Sequence, residues 1–359
     1  MAELVPVVRD LARRARAANM GLNIDAEEQD RLALSLKVIE AVLPDPELAG
    51  WDGFGVVVQA YGKRAGAMID ALHTLAVRHD RRIMLRLVKG AYWDSEMKRA
   101  QVEGHPDFPL FTSKTATDVS YLALAKRLLG LTDRIYPQFA THNAHSVAAI
   151  LELAGGAPFE FQRLHGMGER LHDIVLKDQG TACRIYAPVG AHQDLLAYLV
   201  RRLLENGANS SFVNQIVDEA VTPEEIARDP FDALAEARPP AGLVAPDALY
   251  GAGRVNAQGF DLSSADVLER IFAARDAVAE DAAPIVAGAA DALPARPVTN
   301  PATLAVVGRV RDADAATVAA AIDAARPWSA TPAERAAVLR HAADLMEADF
   351  GPIFGILAR

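Results

Sequence analysis

Cysteine is almost absent: Cys183 is the only one in 359 residues. That excludes an intrachain disulfide framework and leaves no metal-ligand cysteine spacing, and it fits a reducing compartment. Positive charge is in deficit. Lys and Arg number 37 against 47 Asp and Glu, a formal net charge of −10, which argues against a nucleic-acid-binding surface. No uninterrupted apolar run approaches the ~20 residues of a membrane-spanning helix. The opening segment, MAELVPVVRDLARRARAANM, is charged and amphipathic and lacks the apolar run of a signal peptide. Glycine-rich phosphate loops are also missing, since GMGERL offers only a lone Gly-x-Gly, a weak signal. A cytoplasmic protein is the expectation.

What is present is the composition of a globular protein, 51% hydrophobic and 23% charged, with length for about two domains. Six short apolar runs read as strands: Gly21–Ala26, Phe54–Tyr61, Arg82–Gly90, Ile135–Asn143, Phe159–Gly166 and Cys183–Gly190. Between them lie helical patterns such as AEEQDRLALSLKVIEAVL and DVSYLALAKRLLG. Asp25, just ahead of the first of these, has the chemistry of a helix N-cap. Strand and helix alternating without interruption imply a parallel sheet. A closed (β/α)8 barrel needs eight units, so this is either an open sheet or a TIM-like barrel short of about two N-terminal strands. The second reading is preferred, because the chain opens in a helix-like segment with no strand before it.

From about Val221 the sequence turns rich in Pro, Ala and Gly and reads as a short helix followed by a linker. Beyond it NPATLAVVGRV looks like a hairpin or strand entry. DADAATVAAAIDAA and TPAERAAVLRHAADLMEADF pattern as helices, the latter with Thr331 as cap and Pro332 at its first position. The expected domains are an N-terminally incomplete barrel over 1–238, a linker over 239–290 and the opening segment of a second domain over 291–359.

Functional groups of parallel barrels gather at the C-terminal ends of the strands. Polar residues recur there: Asp25, Gln59, Arg86, Lys89, Thr141-His142-Asn143, Gln162 with His165, and Tyr186. Each alone reads as a helix cap or a solvated residue; their recurrence favours a site. In RLVKGAYWD, Arg86, Val88 and Gly90 share one strand face, and Leu87 and Lys89 the other. Gly90 permits close backbone approach by a ligand. Tyr92 and Trp93 either wall a flat ring system or are core aromatics. Lys89 also invites a Schiff-base reading. In HQDLLAYLVRRLLENG, Tyr198, Arg201, Arg202 and Glu205 fall on one side of a helix. The paired guanidinium forks suit a carboxylate, or are solvated charges near a helix end.

Together LNIDAEEQDRL, VVVQAYGKRA, RLVKGAYWDSEMKRAQ, YPQFATHNAHSVAAI, EFQRLHGMGE and CRIYAPVGAHQDLLAYLVRRLLENGANSSFVN resemble the proline dehydrogenase barrel of the bacterial, bifunctional proline utilization A family, over roughly Asn19 to Pro230. The tail resembles the N-terminal segment of that family's glutamate-semialdehyde (aldehyde) dehydrogenase half. The resemblance implies noncovalent FAD in a distorted barrel, oxidation of L-proline to pyrroline-5-carboxylate, a quinone acceptor at the membrane surface and, for the second half, NAD. It leaves room for a homo-oligomer and for peripheral membrane attachment.

By the same resemblance Arg201 and Arg202 match the pair that holds the proline carboxylate. Tyr186, Tyr198 and Leu164 match the walls of the proline pocket, and Asp25 and Tyr92 match residues beside flavin and substrate. Gln59, Arg86, Val88, Lys89, Gly90, Trp93, Thr112, Thr141, His142, Asn143, Gln162, Glu205 and Ser211 match FAD-contact positions. Arg86 near the ring would stabilise the reduced flavin's negative charge. The family's active-site lysine, in a Lys-Leu-Ser-type motif, has no counterpart here. The tail lacks the nucleotide fold and catalytic cysteine of an aldehyde dehydrogenase, and no ribbon-helix-helix segment is present. The alternatives to a working proline dehydrogenase are therefore an impaired, truncated product and a Schiff-base lyase using Lys89.

Overall fold

The computed structural model describes residues 1–207, 220–237, 242–276, 282–286 and 293–358. Among them the chain divides into two compact units, Met1–Asn256 and Ala257–Arg359. The first is built on six parallel strands in consecutive order: β1 (Leu22–Ile24), β2 (Phe54–Gln59), β3 (Ile83–Val88), β4 (Ile135–Ala140), β5 (Glu160–Leu164) and β6 (Cys183–Tyr186). Parallel neighbours require a crossover. The connections supply helices α2 (Leu32–Val42), α3 (Ala65–Arg78), α4 (Trp93–Glu103), α5 (Lys114–Leu129), α6 (Ala144–Ala154) and α7 (Glu169–Gln179), and α1 (Leu4–Ala17) precedes β1. The result is six consecutive strands of the expected (β/α)8 order, all six where the sequence places them.

Alternation along the strands separates two environments. Val56 and Val58 of β2, Ile83, Leu85 and Leu87 of β3, Phe139 of β4 and Phe161 of β5 join one apolar core. Helix residues such as Ile39, Leu72, Tyr121 and Ile150 complete it. The opposite face carries Asn23, Arg86, Gln138, Glu160, Gln162 and Arg184, and it is strongly curled. Asn23 Nδ2 on β1 donates to Gln138 Oε1 on β4 at 3.2 Å. In a flat sheet those strands would lie roughly 14 Å apart, three spacings of ~4.8 Å. The Asn23 side chain lies over its paired neighbour on β2, where a Cβ on Gly55 would sit 1.7 Å from its Oδ1.

Asp25 is not the helix cap that its sequence context suggests. The chain runs on irregularly through a 3-10 turn, Gln29–Arg31, before α2 starts at Leu32. Tertiary partners take the groups a helix would use: Gln29 N–H donates to Glu96, and the Glu27 carbonyl accepts from Gln59 Nε2 at 2.7 Å. Caps appear instead at Ser113 for α5 and Asn143 for α6.

The second unit holds an antiparallel hairpin of β7 (Ala295–Thr299) and β8 (Val306–Arg311), with a register shift at Val298/Thr299. Helices span Ala265–Asp276, Ala315–Ala324, Pro332–Ala348 and Phe350–Ala358. Thr331 and Glu334 form the reciprocal capping box that the Thr-Pro-Ala-Glu sequence calls for. Phe260, Phe350 and Phe354 pack as a ring cluster with centroids 5.0–5.7 Å apart, Phe354 edge-on to the other two.

Candidate active site

The strand register brings the polar residues to one end of the sheet: Gln59 opposite Val88, Ala140 opposite Gln162, and Leu164 opposite Tyr186. At its centre is Arg86, whose side chain is 9% exposed. Its guanidinium donates to Asp25 Oδ1 at 3.3 Å and lies 5.1 Å from the Tyr186 ring centroid, three strands away. A buried cation needs such partners, and five N–H donors leave Arg86 with capacity for more.

Beside it, the Leu164 N–H donates to His142 Nε2 at 3.0 Å. An accepting Nε2 leaves the neutral ring's proton on Nδ1. Burial, with His172, Arg202 and Arg163 nearby, pushes His142 down to about 4, so the ring is neutral at neutral pH. Thr141 Oγ1 accepts from Asn143 N–H at 3.1 Å, and its carbonyl bonds His172 Nε2 at 3.0 Å. Asn143 Oδ1 is occupied in capping α6, accepting from Ser146 N–H at 2.9 Å. Gln162 Nε2 donates to Glu160 at 2.9 Å.

The β3–α4 segment divides its residues. Gly90 has φ +134°, and a Cβ there would lie 2.5 Å from the Tyr61 ring, so its glycine is required by Tyr61. Lys89 Nζ pairs with Asp118 on α5 and sits 5.7 Å from the Tyr121 ring. It faces the helix layer, and burial lowers its proton affinity while Asp118 opposes that. Tyr92 donates its hydroxyl to Glu27. Trp93 Nε1 donates to the Phe111 carbonyl at 2.9 Å and packs on the small cluster of Tyr61, Met97, Phe108 and Leu110. Val88 is partly exposed, and Thr112 lies half-buried in the turn ahead of α5.

Helix α8 (Leu196–Gly207) follows β6. Arg202 lies over Tyr198, 5.3 Å from its centroid, and Arg202's charge reaches His142 at the end of β4. The side chains of Arg201 and Glu205, and all of Ser211, lie outside the described residues. Sequence reading missed Glu160, Gln138 and Asn23. Polar residues two apart on an otherwise apolar strand, as at Glu160 and Gln162, are the signal that finds them. Among the described residues no group of three or more His, Cys, Asp or Glu is arranged for a metal, and no helix is long and apolar enough to cross a membrane.

Comparison with known proteins gives consistent matches. The profile of proline dehydrogenase matches residues 3–215, and that of the aldehyde dehydrogenase family matches residues 289–359. The bifunctional protein PutA of Klebsiella aerogenes is 49% identical over all of this chain, and that of Rhizobium meliloti 47%. The chain spans 29% and 31% of their lengths. A crystal structure of a Bradyrhizobium japonicum proline utilization A mutant is similar with a TM-score of 0.86 and 47% identity, covering all of this chain and 35% of that one.

Proposed function

The chain belongs to the proline dehydrogenase family, and from that premise we propose that its barrel binds FAD noncovalently and oxidises L-proline to pyrroline-5-carboxylate, the first step of proline degradation to glutamate. The observation that carries the reading is the coincidence of the family match with a polar residue at the C-terminal end of every strand of the sheet.

The residues present suit a flavin. A buried guanidinium, a neutral His142 whose Nδ1–H can donate, and the Gln162 amide suit a planar heterocycle bearing both acceptors and an N–H. In this reading Gln59, Arg86, Val88, Lys89, Gly90, Trp93, Thr112, Thr141, His142, Asn143, Gln162, Glu205 and Ser211 form the FAD site, several of them through backbone or by shaping its wall. FAD, when bound, supplies the two-electron acceptor. Arg201 and Arg202 hold the proline carboxylate, and Tyr186, Tyr198 and Leu164 enclose its ring. Asp25 holds Arg86, and Tyr92 closes the substrate side. Orientation of the ring carbon next to nitrogen is the residues' main contribution.

Residues 1–238 would then form the barrel, 239–290 a linker, and 291–359 the opening of an NAD-dependent aldehyde dehydrogenase. A quinone at a membrane surface would reoxidise the flavin, with the protein cytoplasmic and peripheral to that membrane. A homo-oligomer fits the same reading. Lys89 gains no support as a Schiff-base nucleophile, because Asp118 holds its ammonium on the helix side of the sheet. Titrating the protein with FAD tests the proposal: flavin fluorescence should change saturably at stoichiometric binding, and no change at any FAD concentration overturns it.

A further inference from the structure

The last rung between β4 and β5 is split by two histidines. The register pairs Ala140 with Gln162, and the Thr141 N–H still donates to the Gln162 carbonyl at 3.3 Å. In a regular parallel ladder the return bond would run from the Leu164 N–H to the Thr141 carbonyl. Imidazoles take both groups instead. The Leu164 N–H donates to His142 Nε2 at 3.0 Å, and the Thr141 carbonyl bonds His172 Nε2 of α7 at 3.0 Å.

The two exchanges depend on each other. Leaving a buried carbonyl or N–H without a partner is costly, so the Leu164 N–H can leave the ladder only where the Thr141 carbonyl finds another donor. A carbonyl only accepts, so His172 carries its proton on Nε2. Its Nδ1 is buried and has no hydrogen-bond partner among the described residues; a proton there would be an orphaned N–H. His172 is therefore neutral and of the opposite tautomer to His142. It is 2% exposed and packs on Phe161, ring centroids 5.7 Å apart. Gly168 touches both imidazoles: a Cβ there would lie 3.0 Å from His142 Cδ2 and 3.4 Å from His172 Cδ2.

We propose that His172 is a positioning residue: by taking the Thr141 carbonyl it releases the Leu164 N–H to His142, and so holds His142 as the Nδ1–H tautomer that donates to the flavin. Only the last step, the acceptor of that N–H, rests on the flavin reading above. Without a donor at position 172 the Thr141 carbonyl reclaims the Leu164 N–H, His142 Nε2 loses its donor, and nothing fixes the proton on Nδ1.

The test is 15N NMR of the full chain at neutral pH, with His142 assigned from the His142→Gln spectrum. Wild type should show His142 protonated at Nδ1 and bare at Nε2, with a coupling across the hydrogen bond between the Leu164 amide nitrogen and His142 Nε2. His172→Phe keeps a packed ring but no donor. It should abolish that coupling, mix the His142 tautomers and raise the Kd for FAD about tenfold, near the worth of one hydrogen bond. His172→Gln, whose amide N–H can reach the Thr141 carbonyl, should restore all three. A wild-type His142 protonated at Nε2 overturns the proposal and needs no variant to fold. A coupling and tautomer unchanged in His172→Phe, or an FAD affinity unchanged when they are lost, also overturns it, and the flavin reading stands. Wild type that binds no FAD overturns the flavin reading and the donor role together, whatever the His142 tautomer.

Discussion

Arg86 and Glu160 are buried charges on the same face, and they meet the cost of desolvation differently. Glu160 has four short hydrogen bonds from three side chains, whereas Arg86 has one 3.3 Å carboxylate contact and a tyrosine ring. Burying a charge costs several kcal/mol unless it is paired, so the under-partnered guanidinium is the group most ready to take up negative charge on a ligand. His142 adds a pH dependence. Its folded-state value of about 4 lies below the ordinary 6.5, so between those values the unfolded chain binds the extra proton. Stability is complete above about pH 6.5 and falls as pH drops toward 4, by at most about 3 kcal/mol. Urea midpoints should be lower at pH 5 than at pH 7.5, and His142→Gln should narrow the gap; equal wild-type midpoints contradict this. The residue types at the strand ends were readable in the sequence, and alternation put Arg86 and Lys89 on opposite faces, but it did not say which face is the interior: Lys89 meets Asp118 of α5, and Arg86 meets Asp25 and Tyr186. Gly90 and Tyr61 meet only in the fold.

The strands were legible because both faces of a parallel sheet are buried and their residues run apolar. Their ends were not. The sequence reading carries each strand two to four residues past its last paired residue, as in Ile135–Asn143 against the observed Ile135–Ala140. There the side chains that serve the site leave the ladder to bond one another. The reading of one continuous helix after β1 failed for a related reason: Glu96 and Gln59 take backbone groups of the Glu27–Gln29 stretch, and local sequence does not reveal partners so distant. Element stability rests on the outer face. Phe161 is fully buried between Phe159 and His172, with centroids at 5.2 and 5.7 Å. Phe161→Ala should cost about 3–5 kcal/mol, read as a fall in the urea midpoint; a loss under ~1 kcal/mol would place β5 outside the core.

The molecule as a whole is acidic, with a net charge of −10 and a pI near 5.4. The pair proposed to hold the substrate carboxylate, Arg201 and Arg202, would be a local exception to that background. The match to proline dehydrogenase over 3–215 and to the aldehyde dehydrogenase family over 289–359 falls on separate compact units. The chemistry proposed here belongs to the first unit alone. Anaerobic addition of L-proline to the FAD-loaded protein tests that claim most directly. The account predicts that the yellow flavin absorbance bleaches with L-proline and persists with pyrrolidine, which lacks the carboxylate for Arg201 and Arg202 to hold. Flavin that stays oxidised with L-proline, or bleaches equally with pyrrolidine, contradicts it.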